Sequence, residues 1–243
     1  MDLETSKPAA TREFYEKLFG WTVTDPDSRG YRLASLDGCL VAGLGVSRRP
    51  DRPFWSTNLL STDLAGSVAA CVERGGEVVV EPMSSGPLGD FAMIRDPVGA
   101  RIGFWHPRQP SGMQIDDNPG TFVGITMVTQ NPSSAIDFSV RALGWTAREA
   151  GAGGRELDLP LRARARVYRG ALTREDPNWI VEFGSRDVQS DVHLAESLGA
   201  VRLPSCPPGV SIMRDPQGAL FGLRMVGQQH GRGVAGTPWV AKT

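Results

Sequence analysis

The chain is poor in the side chains that most often carry chemistry. It has three histidines, three cysteines and three tyrosines in 243 residues. Cys39, Cys71 and Cys206 are odd in number, scattered and form no CxxC pair, which suits reduced thiols in a cytoplasm better than a disulfide framework. No Lys/Arg block is present, and the formal net charge is -1, so nucleic acid is not an expected partner. No apolar run approaches the roughly 20 residues that span a bilayer, and the start MDLETSKPAA lacks the shape of a signal peptide. A cytoplasmic protein with no membrane partner is expected. Hydrophobic residues make up 40% of the chain, enough for real cores.

What the chain does have is a repeat. FYEKLFGWTV (14–23) returns as FSVRALGWTA (138–147), and IRDPVGARIGFW (94–105) returns as MRDPQGALFGLR (213–224). Pro8/Pro132, Phe14/Phe138, Gly20/Gly144, Trp21/Trp145, Trp55/Trp179, Asp63/Asp187 and Gly75/Gly199 are all 124 apart, and Asp96/Asp215 are 119 apart. The second copy has therefore lost five residues before its Asp-Pro turn. Two homologous domains are expected, over 1–107 and 121–226. A Pro/Gly/Asp-rich linker joins them at 108–120, and a Gly-rich tail follows at 227–243.

Each domain reads as two halves. Ala10, Phe14 and Leu18 form one apolar helix stripe, followed by the strand-like runs WTVTD, YRLASL and CLVAGLGV, with a hairpin turn at Leu36–Gly38. FWSTNLLS then reads as a strand, Leu64, Val68, Cys71 and Val72 as a helix stripe, and EVVVEP, FAMIRDP and ARIGFW as three more strands. In the second domain Asn131-Pro132 is a helix start, and Val188, Val192 and Ala195 continue the pattern. The fold class is α+β, four βαβββ units in the chain.

A unit with FYxxLFGW at the end of its first helix and DPxGAxxGFW in its last hairpin resembles the vicinal oxygen chelate superfamily. That group includes glyoxalase I, extradiol dioxygenases, fosfomycin-modifying enzymes and bleomycin-binding resistance proteins. The resemblance covers nearly the whole chain and implies two tandem domains of that fold, each with a concave cleft. It also implies kinship with two-domain actinobacterial members, some of them accessory proteins of anthracycline biosynthesis.

Metal-dependent members hold the ion with His or Glu on the first and last strands of each unit. By the family's spacing those places here are Ser56, Gly124 and Ile180 on first strands and Gly103 and Gly222 on last strands, with Gly43 and Val167 in the other two units. The first unit's own place falls ahead of Met1, so the chain enters that strand midway. His106, His193 and His230 lie elsewhere. Neither a metal nor any other cofactor is expected.

Alternation along the strands puts Asp2, Glu4, Ser56, Asn58, Leu60 and Trp105 inward in the first domain and Thr126, Val128, Glu182 and Arg224 inward in the second. Trp105 offers a stacking face, and Arg224 a fork for an anion or an ion-pair partner for Glu182. Glu182, in an apolar strand, is the candidate general base or anchor. Trp21 and Trp145 read as helix-to-strand corners, Trp55 and Trp179 as core, Asp96 and Asp215 as turn formers, and Trp239 as a weak docking contact. The expected function is metal-independent binding of a flat, mostly apolar small molecule for sequestration, self-resistance or secondary-metabolite biosynthesis. A pathway enzyme would be a further partner, and the chain would be a monomer or homodimer. The alternative is a metal-free isomerase, cyclase or lyase using Glu182, or Asp2 and Glu4, as its base. A glyoxalase-type metal enzyme ranks below both.

Overall fold

A computed structural model describes residues 1–47, 53–108, 112–149, 154–159, 164–171, 178–204 and 206–227. His230, Trp239 and nearly all of the tail expected at 227–243 lie outside the described residues.

The expected order of elements is present four times. The first quarter is β1 (Asp2–Thr5), α1 (Pro8–Phe19), β2 (Thr22–Val23), β3 (Arg32–Leu36) and β4 (Cys39–Val46). The second is β5 (Phe54–Ser56), β6 (Asn58–Leu60), α2 (Leu64–Glu73), β7 (Glu77–Ser84), β8 (Gly89–Arg95) and β9 (Arg101–Pro107). The third is β10 (Phe122–Thr129), α3 (Pro132–Leu143), β11 (Thr146–Glu149), β12 (Arg155–Asp158) and β13 (Arg164–Arg169). The fourth is β14 (Ile180–Ser185), α4 (Val188–Ser197), β15 (Val201–Arg202), β16 (Ser211–Arg214) and β17 (Leu220–Met225). Local chemistry sets the boundaries. Asp63, Asn131 and Asp187 cap α2, α3 and α4 by accepting backbone N–H bonds, and Pro8 and Pro132 open α1 and α3. Gly20 and Gly144 end α1 and α3 in the left-handed conformation that glycine adopts without a Cβ clash. Asp37 and Gly38 both have positive φ, as a two-residue type I′ hairpin between β3 and β4 requires. No described helix is long and apolar enough to cross a membrane.

The compact units do not follow the repeat. Taking described residues only, one unit contains Met1–Ser56, Met113–Gly124 and the chain from Ile180 onward, and the other contains Thr57–Gly112 and Ile125–Trp179. The first quarter with β5 and the last quarter thus fold together, as do the third quarter and the rest of the second, whereas the sequence repeat runs over 1–107 and 121–226.

In the first unit the strands run β2-β3-β4-β1-β5 and β14-β17-β16-β15. Their helix-side faces enclose an aromatic core of Phe14, Tyr15, Phe19, Trp21, Trp55, Phe183 and Phe221. The Tyr15 and Trp21 rings stack at 5.5 Å, and Trp55 meets Tyr15 edge-on at 5.4 Å. Three hydrogen bonds close this core. Trp55 Nε1 donates to the Tyr15 hydroxyl (2.9 Å), that hydroxyl donates to Asp215 Oδ2 (3.1 Å), and Trp21 Nε1 donates to the Gly120 carbonyl (2.8 Å). Trp55 is therefore a core residue, as expected, and Trp21 at its helix-to-strand corner is buried in the same core.

In the second unit the strands run β6-β9-β8-β7 and β11-β12-β13-β10, and α2 packs against α3. Its core is more aliphatic. Trp145 and Trp179 meet at 5.5 Å among Phe138, Ile94, Ile102, Ile125, Met127, Leu157 and Val167. Asp96 and Asp215 each fold their own turn, with Oδ1 accepting backbone amides at 98 and 100 in one copy and 217, 218 and 219 in the other.

Tyr15→Phe tests the polar closure of the first core. It keeps the ring and orphans both Trp55 Nε1 and Asp215 Oδ2. A loss of about 1–3 kcal/mol in urea-denaturation stability is expected, whereas an unchanged midpoint would mean the hydroxyl does not hold this core.

Candidate functional site

Strand register decides which side chains leave the helix-packed face of each sheet. In the first unit β1 pairs with β4 (Asp2↔Gly43, Glu4↔Gly45) and with β5 (Asp2↔Ser56, Glu4↔Phe54). Leu3, Thr5, Leu44 and Trp55 are buried on the helix side, so Asp2, Glu4, Gly43, Gly45 and Ser56 share the opposite face. Tyr31 reaches this face and donates its hydroxyl to Asp2 Oδ1 at 2.5 Å. Burial, with the negative charge of Asp2 added, holds the Glu4 carboxyl above the usual range.

Also in the first unit, β14 pairs with β17 as Glu182↔Gly222 and Gly184↔Arg224. Glu182 is fully buried, and Arg224 grips both of its oxygens, Nε to Oε2 at 2.5 Å and the second guanidinium nitrogen to Oε1 at 2.9 Å. This is the ion pair that the sequence offered as one reading of Arg224. It is the bidentate geometry in which Arg best stabilises a carboxylate that water cannot reach.

The second unit holds the rest of the expected inward set. Parallel pairing places Asn58 beside Gly103 and Leu60 beside Trp105, while β8 places Met93 opposite Gly103 and Phe91 opposite Trp105. Ala92, Ile94, Ile102 and Phe104 face the helix, leaving Asn58, Leu60, Phe91, Met93 and Trp105 on the other side. The exposed Met83 continues this apolar surface on β7, opposite Phe91. On the other sheet Thr126 pairs with Arg166 and Val128 with Tyr168, and Glu156 pairs with Arg166 from β12. Glu156 lies 3.3 Å from Arg166, 3.0 Å from Arg148 and 3.9 Å from Arg164. Thr126 is fully buried, and its hydroxyl has no hydrogen-bond partner among the described residues.

The structure thus divides the sequence-derived set. Ser56, Glu182 and Arg224 fall in the first unit with Asp2 and Glu4. Asn58, Leu60, Trp105, Thr126 and Val128 fall in the second. Sequence reading missed Tyr31, Phe91, Met93 and Arg166. Phe91 and Met93 follow from Trp105 once β8 and β9 are recognised as a hairpin, because opposite residues share a face. The Val167 place was one residue off. Val167 pairs with Met127 and is buried on the helix side, and Arg166 stands beside Thr126 where Gly43 stands beside Asp2.

The residues at the family's ligand places do not fit a metal. A side chain at Gly43 would collide with the hydrogen-bonded Asp2 and Tyr31, and one at Gly103 with Asn58 Oδ1. A Cβ at Gly222 would sit 2.8 Å from Val210 and 3.1 Å from Glu182 Cγ. No group of three or more His, Cys, Asp or Glu able to hold a metal ion occurs among the described residues. His106 Nδ1 lies 2.8 Å from the Ser61 carbonyl, and His193 Nε2 lies 3.0 Å from Gln189. Gly103→Ala should destabilise by about 1–2 kcal/mol through crowding. Asn58→Ala should relieve part of that loss. Strict additivity in a double-mutant denaturation cycle would show that Asn58 does not occupy the glycine's space.

No established family model matches the chain. It is 31% identical over 222 residues to the anthracycline biosynthesis protein DnrV of Streptomyces peucetius, covering 82% of this chain and 80% of that protein. It is 28% identical over 238 residues to the Mycobacterium tuberculosis protein named "Putative glyoxylase CFP32", covering 91% of each. Its fold matches the Mn(II)-bound glyoxalase of Novosphingobium aromaticivorans with a TM-score of 0.63 at 16% identity, over 92% of this chain and 80% of that one. It also matches the 2,3-dioxygenase LapB of Pseudomonas sp. KL28 with a TM-score of 0.63 at 12% identity, over 98% and 94%. With four βαβββ quarters, the Gly-Trp corners and Asp-Pro hairpins of its repeat, and a relative of this likeness along most of its length, the chain belongs to the vicinal oxygen chelate superfamily.

Proposed function

We propose that the protein binds a flat, mostly apolar small molecule without a metal ion, on the open sheet faces of the second unit. The observation that carries this reading is the row Leu60, Phe91, Met93 and Trp105, set on a sheet whose family ligand place is a glycine roofed by Asn58. An indole and a phenyl supply stacking area, methionine adapts to an irregular outline, and the Asn58 amide offers a polar anchor. Relatedness to a protein named for anthracycline biosynthesis supports a fused-ring ligand. Sequestration, self-resistance and delivery to a pathway enzyme all use the same binding step.

A second reading draws on the first unit. Glu4 has its carboxyl raised by burial and by Asp2, and so could carry a proton at a pH nearer neutrality than an ordinary glutamate. A metal-free isomerase, cyclase or lyase would use that proton. Glu182, held on both oxygens by Arg224, is the less suitable carrier of the two acids.

The test is a fluorescence titration of chelator-treated protein with aromatic polyketides. Quenching at micromolar concentration is expected, with Trp105→Ala weakening it about tenfold, the loss of about 1.4 kcal/mol of stacking and contact. Absence of quenching by every fused-ring ligand would overturn the binding reading. Turnover of a bound ligand that is abolished in Glu4→Gln, with binding intact, would favour the second reading.

A further inference from the structure

The helix-side cores of the two units differ at the polar contact made by Tyr15. In the first unit a single oxygen, the Tyr15 hydroxyl, accepts from Trp55 Nε1 at 2.9 Å and donates to Asp215 Oδ2 at 3.1 Å. The repeat places Trp179, Ser139 and Asp96 at the same three positions of the second unit. Positions 15 and 139, and 55 and 179, are 124 apart, and 96 and 215 are 119 apart. The indole and the carboxylate are retained, and the tyrosine between them is a serine.

Ser139 does not take over the bridge. It is fully buried, and its hydroxyl donates to the Ala135 carbonyl one helical turn back at 2.8 Å. Trp179 Nε1 and Asp96 Oδ2 are both buried and have no hydrogen-bond partner among the described residues. The rest of the Asp96 turn is made as in its counterpart, since Oδ1 accepts from Val98 and Ala100. Burial pushes the Asp96 carboxyl up to about 6, against the pull of those amides. One orphan is an obligate donor and the other is a carboxylate acceptor. Leaving both unmade is costly, and a single hydroxyl that accepts from one and donates to the other satisfies both.

We propose that the second unit binds an external hydroxyl at the place filled by the Tyr15 hydroxyl in the first, accepting from Trp179 Nε1 and donating to Asp96 Oδ2. The ligand is a neutral O–H group, supplied by a buried water or by a small phenol or alcohol. It lies under the helices, apart from the open sheet faces assigned to the larger molecule. It does not depend on that assignment.

High-resolution crystal structures of the protein, grown without and with phenol, test this directly. The expected result is density for a non-protein oxygen within hydrogen-bonding distance, about 3.2 Å, of both atoms. An isolated oxygen in both crystals identifies water as the source, and an oxygen carrying a ring in the phenol crystal identifies the phenol. Trp179 Nε1 and Asp96 Oδ2 joined to each other, or each satisfied by protein groups, would overturn the proposal. Ser139→Tyr supplies the hydroxyl internally. It should displace the external oxygen and raise Tm by about 2–4 °C. A folded Ser139→Tyr protein that retains the external oxygen would also overturn it, and if that variant does not fold the wild-type density decides alone.

Discussion

A buried tyrosine hydroxyl ties the two ends of the chain together. Tyr15 lies on the first helix and Asp215 in the last hairpin, and Trp55 completes the contact from the fifth strand. None of these groups reaches water, so each needs the others. Burial and the nearby Asp215 hold the tyrosine's ionisation well above its ordinary range, which keeps it a neutral donor. The seven aromatic rings around this contact come from the first quarter, β5 and the last quarter, and these form one compact unit. A chain that reads as two tandem copies thus folds by matching the first half of one copy with the second half of the other.

Duplication then allowed the two units to diverge on a retained scaffold. Gly-Trp corners and Asp-Pro turns are the same in both. The open faces are not. Asn58 and Trp105 in the second unit occupy the positions of Glu182 and Arg224 in the first, so an amide and an indole stand where the other copy has a buried ion pair. Asp2 and its partner Tyr31 fill the space above Gly43, and Asn58 fills the space above Gly103. By the superfamily's spacing both glycines fall where a metal ligand is expected. Side chains from neighbouring strands stand in those positions, and the units differ in chemistry: acidic and ion-paired in the first, an aromatic and apolar sheet beside a Glu156–arginine cluster in the second.

Much of this was legible in the sequence because the repeat exposed it. The Leu36–Gly38 hairpin, the buried tryptophans and the turn-forming roles of Asp96 and Asp215 rest on local rules, and the structure contains them as read, while the helix stripes hold except at Ala10 and Val72, which are exposed. The inward register of Asn58, Trp105, Glu182 and Arg224 followed from alternation along single strands. The rest needed contacts between strands. Which quarters pair cannot be read from a repeat whose quarters are alike, because each alternative pairs equivalent surfaces. Phe91 and Met93 join Trp105 only through the β8–β9 register, and Arg166 replaces Val167 through a one-residue difference in the β10–β13 register. The Tyr15/Ser139 exchange is plain in the aligned copies, yet its meaning depends on what lies against the hydroxyl.

The proposed function rests on the residues at the superfamily's ligand places not fitting a metal. Calorimetric titration of chelator-treated protein with Mn(II) and Fe(II) tests it most directly. No saturable binding at micromolar concentrations is the result that Asn58 over Gly103, the Asp2–Tyr31 pair over Gly43 and the Glu182–Arg224 pair beside Gly222 predict. One ion bound per chain with micromolar or tighter affinity would contradict it.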